Sequence, residues 1–348
     1  MQPVKFSMFA HMERANPGQS YTELYEDFVD LCVTADKGGF DKIWTGEHHG
    51  IDFTITPNPF ITLADLARQT KNVRLGTGAV IAPYWHPVKL AGEAAQTDVI
   101  TGGRLELGLA RGAYPYEYDR MVPGMDAAEA GRRLREVASL VRPLWDGDCQ
   151  HTGEFYSFPL TSSSPKPLQD GGPPVWIAAR EPESFAFAIE HGFNVQVTPA
   201  GKGDAEVAVL KQRFDDACAA SPEKPRPQIM VLQHCFVSDD DALIGQVMRD
   251  LNYFYTSFGE WFRNVRPVSQ AQMKPLSAEE LAANPVNAPE ALRGNLAIGS
   301  ATEVIDRIKR YQDMGYDEYA YWMDSGIDPA IKRDALCRFI DEVIPAFS

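Results

Sequence analysis

Eight short apolar runs, each followed by a stretch with helical spacing, constrain this chain more than any other feature. The runs are "VKFSMF" (4–9), "FDKIWTG" (40–46), "VRLGTGAVI" (73–81), "GRLELGLA" (103–110), "PPVWIAA" (173–179), "FNVQVT" (193–198), "QIMVLQHCFV" (228–237) and "YDEYAYWM" (316–323). Runs with few polar interruptions suit strands buried on both faces, as in parallel sheets. After the first run, Leu24, Phe28, Leu31 and Ala35 fall on one helical face, and Gly38-Gly39 ends the pattern. Further helices are predicted over 60–70, 87–100, 128–145, 183–191, 204–219, 240–257, 302–315 and 329–344. Strand–helix alternation of this kind implies an α/β fold with a parallel sheet, and eight units predict a closed (β/α)8 TIM barrel. An open doubly wound sheet is the competing arrangement. One domain is expected over 1–348. Two stretches, 146–172 and 259–298, exceed ordinary connections and are expected as insertions over the C-terminal mouth.

Charge and cysteine usage narrow the function classes. A formal charge of -15 disfavours a nucleic-acid surface, which needs a basic stripe. The five cysteines form no CxxC pair, which suits a reduced, cytoplasmic protein. The start "MQPVKFSMFA" is unlike a signal peptide, and no apolar run reaches the roughly 20 residues of a membrane span.

In barrels of this type the chemistry gathers at the C-terminal ends of the strands. Polar residues there are His11; Glu47, His48 and His49; Tyr84, Trp85 and His86; Arg111 and Tyr114; Arg180 and Glu181; Trp322 and Asp324. No metal is expected, because neighbours such as His48 and His49 point apart in extended chain and neither HExxH nor paired cysteines occur. A barrel glycoside hydrolase needs two carboxylates, for which Glu47, Glu117 and Glu181 are the candidates. A serine hydrolase lacks its GxSxG elbow, and no dinucleotide or Walker glycine loop is present. "LARGAY" is sharper: Arg111 follows a buried strand, so its guanidinium is expected to be dehydrated and to need an anion. Gly112 allows close approach of a ligand to the backbone.

The segments "GGFDKIWTGEHH", "KNVRLGTGAVIAPYWHPVKLAGEAAQTDVITGGRLELGLARGAY", "PPVWIAA" and "AIGSATEVIDRIKRYQDMGYDEYAYW" together resemble the bacterial luciferase-like flavin monooxygenases, in order and over nearly the whole chain. The resemblance implies a two-component enzyme that takes reduced FMN from a separate reductase. With dioxygen it oxygenates a small organic substrate, cyclic or aromatic by the tyrosines of "RGAYPYEY". His48 matches the histidine beside the flavin ring that assists proton transfer, with Glu47 or His49 left to orient it. Gly78-Ala79 matches a non-proline cis peptide against which the ring lies. Arg111, Arg133 (with Arg132 as rival) and Ser184 match flavin and phosphate contacts. The chain departs from luciferase at Ala110, where luciferase has cysteine, and at Arg180-Glu181, where it has Glu-Ser. These departures count against light emission and bring Arg180 in as a phosphate contact. The resemblance further implies a homodimer or homotetramer. Its rivals are a deazaflavin-dependent oxidoreductase of the same superfamily, a TIM-barrel hydrolase and a non-catalytic barrel subunit.

Overall fold

In a computed structural model, which describes residues 3–14, 17–52, 54–324 and 326–347, the eight runs form eight parallel strands closed into a barrel. They are β1 (Lys5–Phe9), β2 (Lys42–Thr45), β3 (Arg74–Thr77), β4 (Leu105–Ala110), β5 (Val175–Ala178), β6 (Asn194–Val197), β7 (Ile229–Val237) and β8 (Glu318–Trp322). Each pairs with its neighbours in chain order, and β8 returns to β1. The closed barrel excludes the open sheet.

The surrounding helices are α1 (Tyr21–Lys37), α2 (Pro59–Gln69), α3 (Pro87–Ile100), α4 (Ala127–Asp146), α5 (Pro182–His191), α6 (Gly203–Ala220), α7 (Asp241–Arg263), α8 (Ala301–Asp313) and α9 (Pro329–Arg338). Local chemistry sets their ends. Ser20 with Glu23, and Ser300 with Glu303, form reciprocal capping boxes that satisfy the first N–H groups of α1 and α8. Pro59, Pro87 and Pro182 occupy first turns, where a missing N–H costs nothing. The predicted last helix stops being α-helical at Arg338 and passes into a π turn, Phe339–Val343.

Large side chains fill the barrel. Trp44 and Trp176 meet edge to face at 5.3 Å, fully buried. Gly76 makes room for them, since a Cβ there would lie 2.2 Å from the Trp44 ring. At the N-terminal end the charges inside the barrel are partnered. Glu318 accepts from Lys42 Nζ (2.8 Å) and Trp44 Nε1 (3.0 Å), and Glu106 accepts from Arg74 and from Trp176 Nε1 (2.6 Å).

The third run is one strand in the sequence reading and two here. β3 ends at Thr77, and Val80–Ile81 pairs with Leu109–Ala110 only after a break at Gly78-Ala79. The two long segments take different courses. Residues 259–298 do lie against strand-end loops and hold a hairpin (Val268–Ser269 with Gln272–Met273) and two short helices. Residues 146–172 run along the outside of the barrel and reach the strand-end side where Tyr156 and Phe158 meet the His86 ring at 5.6 and 5.9 Å. Their hairpin (Cys149–Thr152 with Ser157–Thr161) folds along α4, where Glu136 takes His151 Nε2 and the N–H groups of Phe155 and Tyr156. The segment then ends at the opposite rim, where Gln169 bonds the Leu105 carbonyl and Arg74.

Candidate active site

The mouth holds two clusters on adjoining strand ends. The first is basic. Arg111 after β4, Gly131 and Arg135 on α4, and Arg180 and Ser184 at the start of α5 line a cavity of about 60 Å³, with Ile177 and Phe187 as its apolar wall. That space is several times the roughly 10–15 Å³ one water needs. Three guanidinium groups, a hydroxyl and the first turn of a helix suit a tetrahedral dianion such as a phosphate ester. Glu181 also lines the cavity, and Arg213 Nη1 lies 3.5 Å from its carboxylate.

The arginines are not placed as the sequence suggested. Arg111 is exposed rather than dehydrated, because its side chain leaves the strand end outward and donates to the Ala127 carbonyl at 3.0 Å. Arg180 pairs with Glu206 and donates to the Thr198 carbonyl. Arg133 is not on the cavity. It pairs with Glu129 at 2.8 Å and lies over the Phe155 ring at 4.3 Å, while Arg132 pairs with Glu154. Arg135 takes the place expected of Arg133. Two positions on a helix differ by about 200° in direction, so the two arginines face opposite ways. The spacing from Gly131, one turn earlier on the same face, was the available signal.

The second cluster surrounds His48. "EHHG" does leave β2 as a strand-end loop, in which Glu47 and His49 pair with each other and His48 pairs with Glu117. Glu47 is buried and accepts from the Ile81 N–H (2.8 Å), the Trp85 indole N–H and His49 Nε2 (2.7 Å). It therefore braces the segment just after Gly78-Ala79, whose peptide bond is cis. His49 is lowered by burial and raised more strongly by Glu47 and Glu117, so its pKa lies above the ordinary histidine value. His48 instead meets Glu117, with Nδ1 at 3.1 Å from Oε1. Glu117, and neither Glu47 nor His49, is thus the carboxylate against its ring. Tyr114 and His11 stand edge-on to the same ring, at 5.3 and 5.9 Å. Behind them Trp322 stacks on His234 at 3.8 Å. Burial, then the neighbouring His48, His234 and Lys332, hold His11 well below the usual histidine range.

Glu117 sits on a short helix, Pro115–Met121, absent from the sequence reading. Its Oε2 has no hydrogen-bond partner among the described residues, and neither has Tyr84 Oη. Gly112 has φ +81°, and a Cβ there would lie 2.9 Å from Ile81, so the turn from Arg111 into this helix requires glycine. Residues 111–117 thus run from the basic cavity to His48, which does not itself line that cavity. Of the three carboxylates, Glu47 and Glu117 are taken up by donors of the strand-end loops and Glu181 lies beside Arg213. Among the described residues no helix is long and apolar enough to cross a membrane.

The family model described as "Luciferase-like monooxygenase" matches residues 4–318. The oxygenase component of the flavin-dependent trigonelline monooxygenase of Acinetobacter baylyi is 53% identical over 99% of this chain and 96% of that protein. Among solved structures, a monooxygenase from Streptomyces bottropensis superposes with a TM-score of 0.80 at 24% identity, covering 99% of this chain and 100% of that one. An F420-dependent secondary alcohol dehydrogenase superposes at 0.77 with 18% identity, covering 100% of both chains. The fold alone therefore does not separate oxygenases from deazaflavin enzymes; the sequence match does, and by it the chain belongs to the luciferase-like monooxygenase family.

Proposed function

We propose that this chain is the oxygenase component of a two-component flavin monooxygenase acting on trigonelline or a closely similar N-methylated pyridine carboxylate. The end-to-end 53% identity to the Acinetobacter oxygenase component carries this reading. Reduced FMN would be held by its phosphate at Arg111, Arg135, Arg180 and Ser184, with the Gly78-Ala79 segment as the backbone wall for its ring. When bound, it supplies the two electrons that split dioxygen, one oxygen atom going to the substrate and the other to water.

The chain's own residues bind, orient and exclude water. His48 holds an exchangeable proton at the strand end. Tyr114, packed between His48 and Phe258 of α7 (5.3 Å), keeps that place dry. The aromatic rings of Tyr84 and Tyr114, beside His49 and His48, suit a substrate with a fixed ring cation. A separate reductase fits the absence of a nicotinamide fingerprint. A cytoplasmic setting suits five unpaired cysteines. Exposed Ile61, Val99 and Ile100 suit assembly as a homodimer or homotetramer, which sedimentation would measure.

The test is oxygen uptake by the purified chain with an FMN reductase, NADH and trigonelline. Substrate loss in step with oxygen consumption is expected, and none without the reductase. Uptake that trigonelline does not accelerate, with no loss of trigonelline, overturns the substrate assignment.

A further inference from the structure

His48 and Glu117 lie 69 positions apart and meet only because β2 and β4 end at the same rim. The mount of Glu117 is fixed from both sides. Tyr116 Oη donates to the Gly50 carbonyl (2.9 Å), on the loop that carries His48, and Tyr118 Oη donates to the Gly112 carbonyl (2.8 Å). Oε1 then receives two groups. One is the backbone N–H of His49 at 2.6 Å, which can only donate; the other is His48 Nδ1. The second nearby carboxylate, Glu47, is engaged by Ile81, Trp85 and His49. A neutral imidazole carries its proton on one nitrogen, and a carboxylate oxygen facing Nδ1 places it there.

We propose that Glu117 is a positioning residue for His48: its Oε1 keeps the imidazole proton on Nδ1 and so sets which nitrogen of the neutral ring carries it. The assignment rests on His48 being the proton-exchanging group of a luciferase-like oxygenase. A merely structural Glu117 would brace the loop through the His49 N–H and leave the imidazole tautomer unset.

The test is the imidazole nitrogen spectrum of the whole protein, labelled with 15N in histidine and free of flavin, with His48 identified by the signal lost in His48→Asn. Neutral His48 is expected to carry its proton on Nδ1. In Glu117→Leu that population moves toward the Nε2-protonated form. Turnover falls about 10–100-fold, as for other outer partners that orient a histidine, and KM changes little. Glu117→Gln keeps an oxygen that can accept from both N–H groups. It is expected to hold the native tautomer and recover most of the turnover. A wild-type spectrum with the proton on Nε2 overturns the proposal, and so does a folded Glu117→Leu protein with the tautomer unmoved. If Glu117→Leu does not fold, the wild-type and Glu117→Gln spectra decide. Flavin and substrate are absent from the spectrum, so an error in the assigned reaction leaves it unchanged.

Discussion

Glu318 and Glu117 sit at opposite ends of the barrel, equally buried and differently served. Glu318 spends both oxygens on the protein, one on Lys42 and one on Trp44. Glu117 spends one oxygen on two donors and has no partner among the described residues for the other. Buried polar atoms are normally satisfied, and an exception in a folded chain calls for an explanation. At the N-terminal end the carboxylates of Glu318 and Glu106 have both oxygens engaged, whereas at the mouth Glu117 Oε2 has no hydrogen-bond partner among the described residues.

The largest way to break this comparison is Glu318→Leu. It strips Lys42 of its buried partner and should cost about 3–5 kcal/mol in denaturant unfolding. FMN retention by the protein that remains folded should not change. Burial lowers the Lys42 ammonium, but Glu318 and Asp41 raise it by more, to above its ordinary range. A small stability loss would mean that the lower end is not the stabilising one.

Next in size is the basic cavity. Arg135→Ala should weaken reduced-FMN binding by about 1.5–3 kcal/mol, the worth of a charge-assisted hydrogen bond, or roughly 10–100-fold. Arg133→Ala should leave it unchanged. Equal effects in a binding titration would contradict the facing of α4.

A pH dependence follows from His234. Burial pulls its pKa down to about 3, against the opposing bond to the Asp324 carbonyl. Between pH 6.5 and 3 the unfolded chain takes up a proton that folded His234 refuses. Stability should therefore fall as pH drops through that window. His234→Gln should flatten the fall, as read from unfolding midpoints across the range.

The smallest expected effect is that of Tyr84→Phe. It deletes a hydroxyl with no partner among the described residues, and the midpoint should move by under about 1 kcal/mol. A larger loss would place Tyr84 with the satisfied, stabilising groups.

Most of the barrel was legible because its strands are continuous apolar runs and its helices keep their period. The rest depended on direction and distance. "GRRLREV" offers three arginines within four positions, and only their angle about α4 separates Arg135 from Arg133. The segments 146–172 and 259–298 both follow a helix, and their different courses are set by contacts with distant residues, Glu136 for the first and Asp52 for the second. Arg111 was expected to be dehydrated by the strand before it, yet a side chain at a strand end is free to turn outward. The partner of His48 lies 69 positions away, beyond any local pattern. Gly78-Ala79 was placed from the resemblance, and the bond is cis in the structure.

Asp52 stands three positions beyond His49. Its N–H donates to the Ala271 carbonyl (2.9 Å), and its carboxylate accepts from Arg14 (3.0 Å) and Gln272 (3.3 Å). The hairpin of residues 268–273 is therefore tethered to the same loop that presents the imidazole. Displacing that hairpin would break two hydrogen bonds to the loop on which His48 stands, so the setting of the imidazole depends on a strand pair more than 200 positions away.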